Sequence, residues 1–199
     1  MILVEETTVP LSALPLAVFK DHLRLGSGFA DDTLQDDALE TCLRSALAAI
    51  EARTCKVLFA RDFLWTLSQW RDQTRQPLPV APVEDVVTVT LVDRQGSETD
   101  WPAEFWMLER DGQRPHLCAE RRGLPSVPNG GAVRIRIIAG FAQDWSGIPD
   151  DLARAVLLLA AHFYEFRYDS GGSASQFPQI VDSLIAPHRT VRLLGGRRA

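Results

Sequence analysis

Apolar residues recur along this chain at two periods, near 3.6 towards its ends and near 2 in between. The strongest pattern covers residues 149–168, where Leu152, Val156, Leu159, Phe163 and Phe166 follow one another at spacings of four and three. That spacing puts them on one face of a helix. Leu157, Leu158, Ala161 and Tyr164 supply a second apolar face, so this helix is expected to be buried on nearly every side. Pro149 suits a first turn, Asp150 and Asp151 place negative charge at the positive end of the helix dipole, and Gly171-Gly172 stops the pattern. A second long helix is predicted over residues 31–54. Its stripe is Leu34, Ala38, Cys42, Ala46 and Ile50, widened by Leu39, Leu43 and Leu47, with Asp31 and Asp32 as caps. Shorter helices are predicted over 14–25, with Leu16, Phe19 and Leu23 on one face, and over 177–186, closed by Pro187.

From Val57 the period shortens. Phe63, Trp65 and Leu67 alternate with more polar neighbours, which predicts a half-buried strand. Three prolines make residues 76–82 extended. Residues 86–93 read as a strand, turning at 93–96 into a partner that ends near Trp101. Residues 105–109 and 116–119 form a hairpin candidate, and 132–140 a strand with Val133, Ile135 and Ile137 on one face and Arg134 and Arg136 on the other. The predicted fold class is therefore α+β and mainly helical. A helical core of two long helices plus short terminal helices carries an inserted small antiparallel β-region. The chain is read as a single domain over 1–199: helical core from 12–56 and 148–186, β-region 57–145, C-terminal arm 187–199. The second face of the 149–168 helix is expected to lie against the β-region.

With 199 residues, 46% of them hydrophobic and 24% charged, the composition is that of an ordinary globular protein. The first residues lack the basic flank and apolar run of a secretory signal. The apolar helix is interrupted by Arg154, His162, Glu165 and Arg167, whereas a bilayer span needs about 20 apolar residues, so no membrane partner is expected. Cys42, Cys55 and Cys118 are odd in number and scattered, which predicts reduced, buried thiols. Charge adds an asymmetry. Residues 1–56 hold nine acids against five bases, whereas 187–199 hold Arg189, Arg192, Arg197 and Arg198 and no acid. A basic tail on an acidic body points to docking on an acidic surface, or on a neighbouring copy.

Candidate chemistry is sparse. His22, His116, His162 and His188 form no HExxH or HxxxH arrangement, and His116 with Cys118 gives two ligands where zinc needs four. Nucleophile-elbow, phosphate-loop and dinucleotide-binding motifs do not occur. No catalytic, cofactor-binding or metal residue is therefore expected, nor any cofactor. Two alternatives remain open: a small cytosolic hydrolase using His116 or His162, and a non-specific nucleic-acid-binding protein, the latter opposed by the overall acidity.

Several local patterns occur in a telling order. They are residues 14–25, Asp31-Asp32 leading to 48–54, the Pro77–Pro79 stretch running into 83–89, residues 133–141 before 148–165, and 181–189. Together they resemble the head–tail connector (adaptor) proteins of long-tailed phages and gene transfer agents, with Cys55 in place of the family's glycine and His188 in place of its tyrosine. The resemblance implies a structural protein and not an enzyme. It would be a cyclic homo-oligomer, dodecameric in the particle, joining the portal protein to tail or stopper proteins at the head–tail interface of a virion or phage-like particle assembled in the bacterial host cytoplasm. DNA would pass through the lumen without sequence reading. It also implies a C-terminal segment reaching into the portal, for which the candidate residues are Arg189, Val191, Arg192, Leu193 and Leu194, chosen for combined charge and apolar surface.

Overall fold

A computed structural model describes residues 1–25, 33–168 and 177–189. Along the chain lie β1 (Ile2–Glu5), α1 (Leu16–His22), α2 (Thr33–Thr54), β2 (Arg61–Leu67), β3 (Arg75–Pro77), β4 (Val83–Val92), β5 (Glu98–Asp100), β6 (Trp106–Glu109), β7 (His116–Ala119), β8 (Ala132–Ala139), α3 (Asp150–Glu165) and α4 (Gln179–Ile185).

The helices bury the stripes that their spacing demands. On α2, Leu39, Cys42, Leu43, Ala46, Leu47 and Ile50 are buried; on α3, Leu152, Ala155, Val156, Leu159 and Ala160. These faces meet each other, with Phe19 of α1 and Val181 and Ile185 of α4 in the same cluster. Phe163 and Phe166 finish the α3 seam half-buried. At its other end Pro149 is the N-cap and Asp150 and Asp151 occupy the first turn, where the dipole favours them. Cys55 follows α2 with φ of +55°, a left-handed conformation that a glycine adopts without Cβ strain.

The strands form two antiparallel sheets. The larger runs β1-β2-β8-β4-β5 and the smaller β3-β7-β6. Phe63, Trp65 and Leu67 of β2 pair with Ile137, Ile135 and Val133 of β8, so the alternation in each strand buries the same face. Together with Val86 and Val89 they share one cluster with Leu117 of the smaller sheet. Each large side chain buried there contributes about 1.5–3 kcal/mol. Gly140 lets the chain leave β8. Its φ is +145°, and a Cβ there would lie 2.4 Å from the Ala60 backbone nitrogen.

The expectation of a mainly helical protein with a helical core and an inserted β-region does not hold. The fold is mixed α and β, with two sheets that bury a hydrophobic cluster of their own. The error has a physical cause. Long helices announce themselves by periodicity, whereas short strands acquire a core only by pairing with strands far away in sequence. The sheet also recruits β1 from outside the expected β-region, pairing Ile2 with Thr66 and Glu5 with Phe63. Leu157, Leu158, Ala161 and Tyr164 border the helical cluster, which the β-region enters through Phe59, Phe141 and Trp145. Of the three thiols, Cys42 is buried but Cys118 only partly so, and Cys55 is exposed, so burial was overestimated.

Candidate functional site

The segment expected to reach a partner is the one that leaves α4. Its base is built from several elements. Val181 and Ile185, four residues apart, pin α4 against α3, while Arg53 near the end of α2 lays its guanidinium over the Phe177 ring at 3.7 Å. Asp182 on α4 lies between two arginines, 3.6 Å from Arg53 and 2.5 Å from Arg189. A 3-10 turn, Ala186–His188, follows directly. It brings His188 Nε2 within 2.6 Å of Asp151 Oδ2 in the first turn of α3, with the imidazole edge-on to Phe141. From the other side the β6–β7 loop sends Gln113, whose Nε2 donates to the Pro187 carbonyl at 3.5 Å. The Gln113 side-chain oxygen accepts from Lys56 Nζ at 2.9 Å. Burial pushes the Lys56 amine down from its ordinary range, against weaker opposing pulls from Cys55 and Asp111. Helix, sheet loop and turn thus converge on residues 186–189 and fix where the chain exits.

Of the five candidate residues, Arg189 alone falls among the described residues, and its guanidinium is turned back on Asp182. Val191, Arg192, Leu193 and Leu194 lie outside them. Sequence reasoning missed Asp182, Asp151 and Gln113. Asp182 and Arg189 are seven apart, but α4 ends at Ile185 and a 3-10 turn with Pro187 intervenes, so helical spacing gave no signal for their pairing. Gln113 and Pro187 are 74 positions apart, beyond any local pattern.

The remaining candidate chemistry is structural. His162 packs against Phe166 in a tilted arrangement, 4.7 Å between centroids. His116 and Cys118 sit on β7 as expected, and Cys118 donates its thiol hydrogen to Glu109 at 3.4 Å. Burial, then the Glu109 contact, pushes that thiol up, away from the thiolate a nucleophile needs. Among the described residues no group of three or more His, Cys, Asp or Glu side chains is placed to hold a metal, and no helix is long and apolar enough to cross a membrane.

No family model and no curated protein matches the chain. Solved structures do. A chain in the neck of an empty gene transfer agent particle, computed with C6 symmetry, is 50% identical, with a TM-score of 0.90 over 99% of this chain and 100% of that one. The chain belongs to the gene transfer agent neck proteins. A chain in the native particle's neck, computed with C12 symmetry, is 47% identical with a TM-score of 0.85, and one in the native virion is 50% identical at 0.87. Each alignment covers 99% of this neck protein and all of the matched chain. It is a structural protein of a phage-like particle and not an enzyme.

Proposed function

We propose that this neck protein is the head–tail connector of its particle. Copies close into a ring, dodecameric in the particle, that receives the portal protein on one side and stopper or tail proteins on the other, with DNA passing through the lumen. The observation that carries this reading is the near-complete alignment with chains of particle necks computed with six- and twelvefold symmetry. Cyclic symmetry requires each subunit to offer two unlike lateral surfaces that fit one another. The C-terminal arm docks on the portal. It is supported by the convergent anchoring of residues 186–189 and by the acid-free, arginine-bearing sequence beyond them. Arg189 serves the base of the arm, leaving Val191, Arg192, Leu193 and Leu194 for the portal.

Deleting residues 190–199 tests the arm and spares the packed turn at Ala186–His188. Co-sedimentation with portal rings is expected to fall by about tenfold, the loss of roughly 1.4 kcal/mol. Undiminished co-sedimentation would overturn the arm assignment.

A further inference from the structure

Each sheet ends in two edge strands, β1 and β5 on the larger, β3 and β6 on the smaller. Along an antiparallel edge, residues whose N–H and C=O groups bond the neighbouring strand alternate with residues whose groups point away from it. Glu6 N–H donates to the Asp62 carbonyl, so residues 2, 4 and 6 face β2, and Leu3 and Glu5 point outwards. Glu120 N–H donates to the Phe105 carbonyl, so 105, 107 and 109 face β7, and Trp106 and Leu108 point outwards. On β3, Leu78 N–H donates to the Pro115 carbonyl, which makes Arg75 and Pro77 the outward residues. Two of these edges are blunted. Pro77 has no N–H to offer, and β5 is three residues long with Glu98, Thr99 and Asp100 all exposed. The other two carry no such device. Ile2–Glu5 and Trp106–Glu109 contain no proline or lysine and pair without a bulge.

Both unblunted strands expose apolar side chains: Ile2 is 63% exposed, Val4 49% and Met107 51%. The carboxylates of β1 and its extension are already paired, Glu5 with Arg61 and Glu6 with Arg136. The two strands also stand apart. Trp106 Nε1 donates to the Trp101 carbonyl at 3.3 Å, and Trp101 N–H in turn bonds the Val89 carbonyl of β4 at 2.8 Å. Arg110, next after β6, donates to the Glu84 carbonyl of β4 at 3.0 Å. These bonds lay β6 along the β4–β5 side of the larger sheet. Strand β1 forms the opposite edge of that sheet, with β2 and β8 between it and β4. At the usual strand spacing that is a separation of about 14 Å from β4. One subunit therefore carries two unlike open edges, on opposite sides of its larger sheet.

We propose that β1 of one copy pairs with β6 of the next, so that a sheet shared between subunits closes the ring. The proposal rests on the ring reading above and names its contact. A second copy is the occupant because one chain carries both halves of the pairing. Rotational symmetry, as in the six- and twelvefold necks that hold the similar chains, needs each copy to offer two unlike surfaces. The pairing is antiparallel, since a parallel one would bring Glu5 beside Glu109, and like charges on adjacent strands repel. Leu3 and Glu5 then bond Leu108 and Trp106 through their outward backbone groups, and Val4 lies opposite Met107, apolar against apolar. Main-chain hydrogen bonds supply the affinity and the exposed side chains the register, as in strand addition generally.

Cross-linking of the full chain in assembled neck complexes tests it. Cys55 and Cys118 are first replaced by serine, because Cys118 is the cross-strand neighbour of Met107 and would compete. Val4 and Met107 would form a non-hydrogen-bonded pair with Cα atoms about 4.5 Å apart, within reach of a disulfide. Oxidised V4C/M107C should therefore give a ladder of covalent oligomers, and V4C alone or M107C alone about tenfold less cross-linked product. Leu3→Pro removes one outward N–H and leaves the β1–β2 ladder intact. It should lower ring yield, counted by electron microscopy, by about tenfold with circular dichroism unchanged. Rings without a V4C/M107C ladder, or wild-type ring yield with Leu3→Pro, overturn the pairing and leave the ring reading standing. So do abundant dimers from either single cysteine, which would pair like strand with like, and cross-links that run only to another neck component. If the wild-type chain forms no ring in the same complexes, the ring reading itself falls, and this pairing with it.

Discussion

The two hydrophobic clusters are held together in different ways. The helical cluster is closed by side chains alone: stripes on α2 and α3 interlock, and polar clamps at Asp182, His188 and Gln113 trim its edge. The sheet cluster is closed by backbone as much as by side chains, through cross-strand ladders and the crossing of Gly140 over Phe59 and Ala60. Between them sits a part-buried ionic joint. The Glu51 carboxylate on α2 takes two hydrogen bonds from Arg61 of β2, at 2.7 and 2.6 Å, and another from the Leu58 N–H; Arg61 also reaches Glu5 of β1 at 3.0 Å. Burial pushes the Glu51 carboxyl up, against the pull of Arg61. Side-chain closure tolerates small change and can be trimmed for assembly, whereas backbone closure does not.

Three substitutions probe that contrast. Gly140→Ala strikes the backbone crossing and should destabilise by more than about 4 kcal/mol, read as loss of soluble folded protein or a collapsed melting transition. A melting temperature within a few degrees of wild type would show that the crossing yields after all. Glu51→Ala leaves Arg61 buried with only its Glu5 partner, at a cost of about 3 kcal/mol by chemical denaturation; a loss below about 1 kcal/mol would mean the two clusters do not depend on this joint. Cys55→Gly relieves the left-handed strain after α2 and should stabilise by about 0.5–1 kcal/mol. A destabilisation there would mean that the Cys55 side chain supplies packing its exposure does not suggest.

Legibility in the sequence follows the same division. The buried stripes of α2 and α3 and the alternation of β2 and β8 could be read residue by residue, because one element's period is written in its own sequence. Strand β1 could not: Ile2, Leu3 and Val4 are all exposed, so no alternation marks it. Pairing was equally hidden, since nothing in residues 105–119 says that this hairpin joins Arg75–Pro77 instead of the larger sheet. Membership among the structural proteins of gene transfer agent particles was legible from the order of motifs. The clamps on residues 186–189 were not, because His188 and Asp151 or Gln113 and Pro187 meet only after the helices pack.

Lys56 has a practical consequence for mapping the neck. The sequence contains two lysines, and Lys56 is 1% exposed with its amine already hydrogen-bonded. Amine-directed cross-linkers therefore meet one accessible lysine, Lys20, which sits on the α1–α2 surface. In a mass-spectrometric map of the assembled particle, this subunit's lysines would report from a single corner. Reagents directed at carboxylates or arginines are needed to see the rest of it.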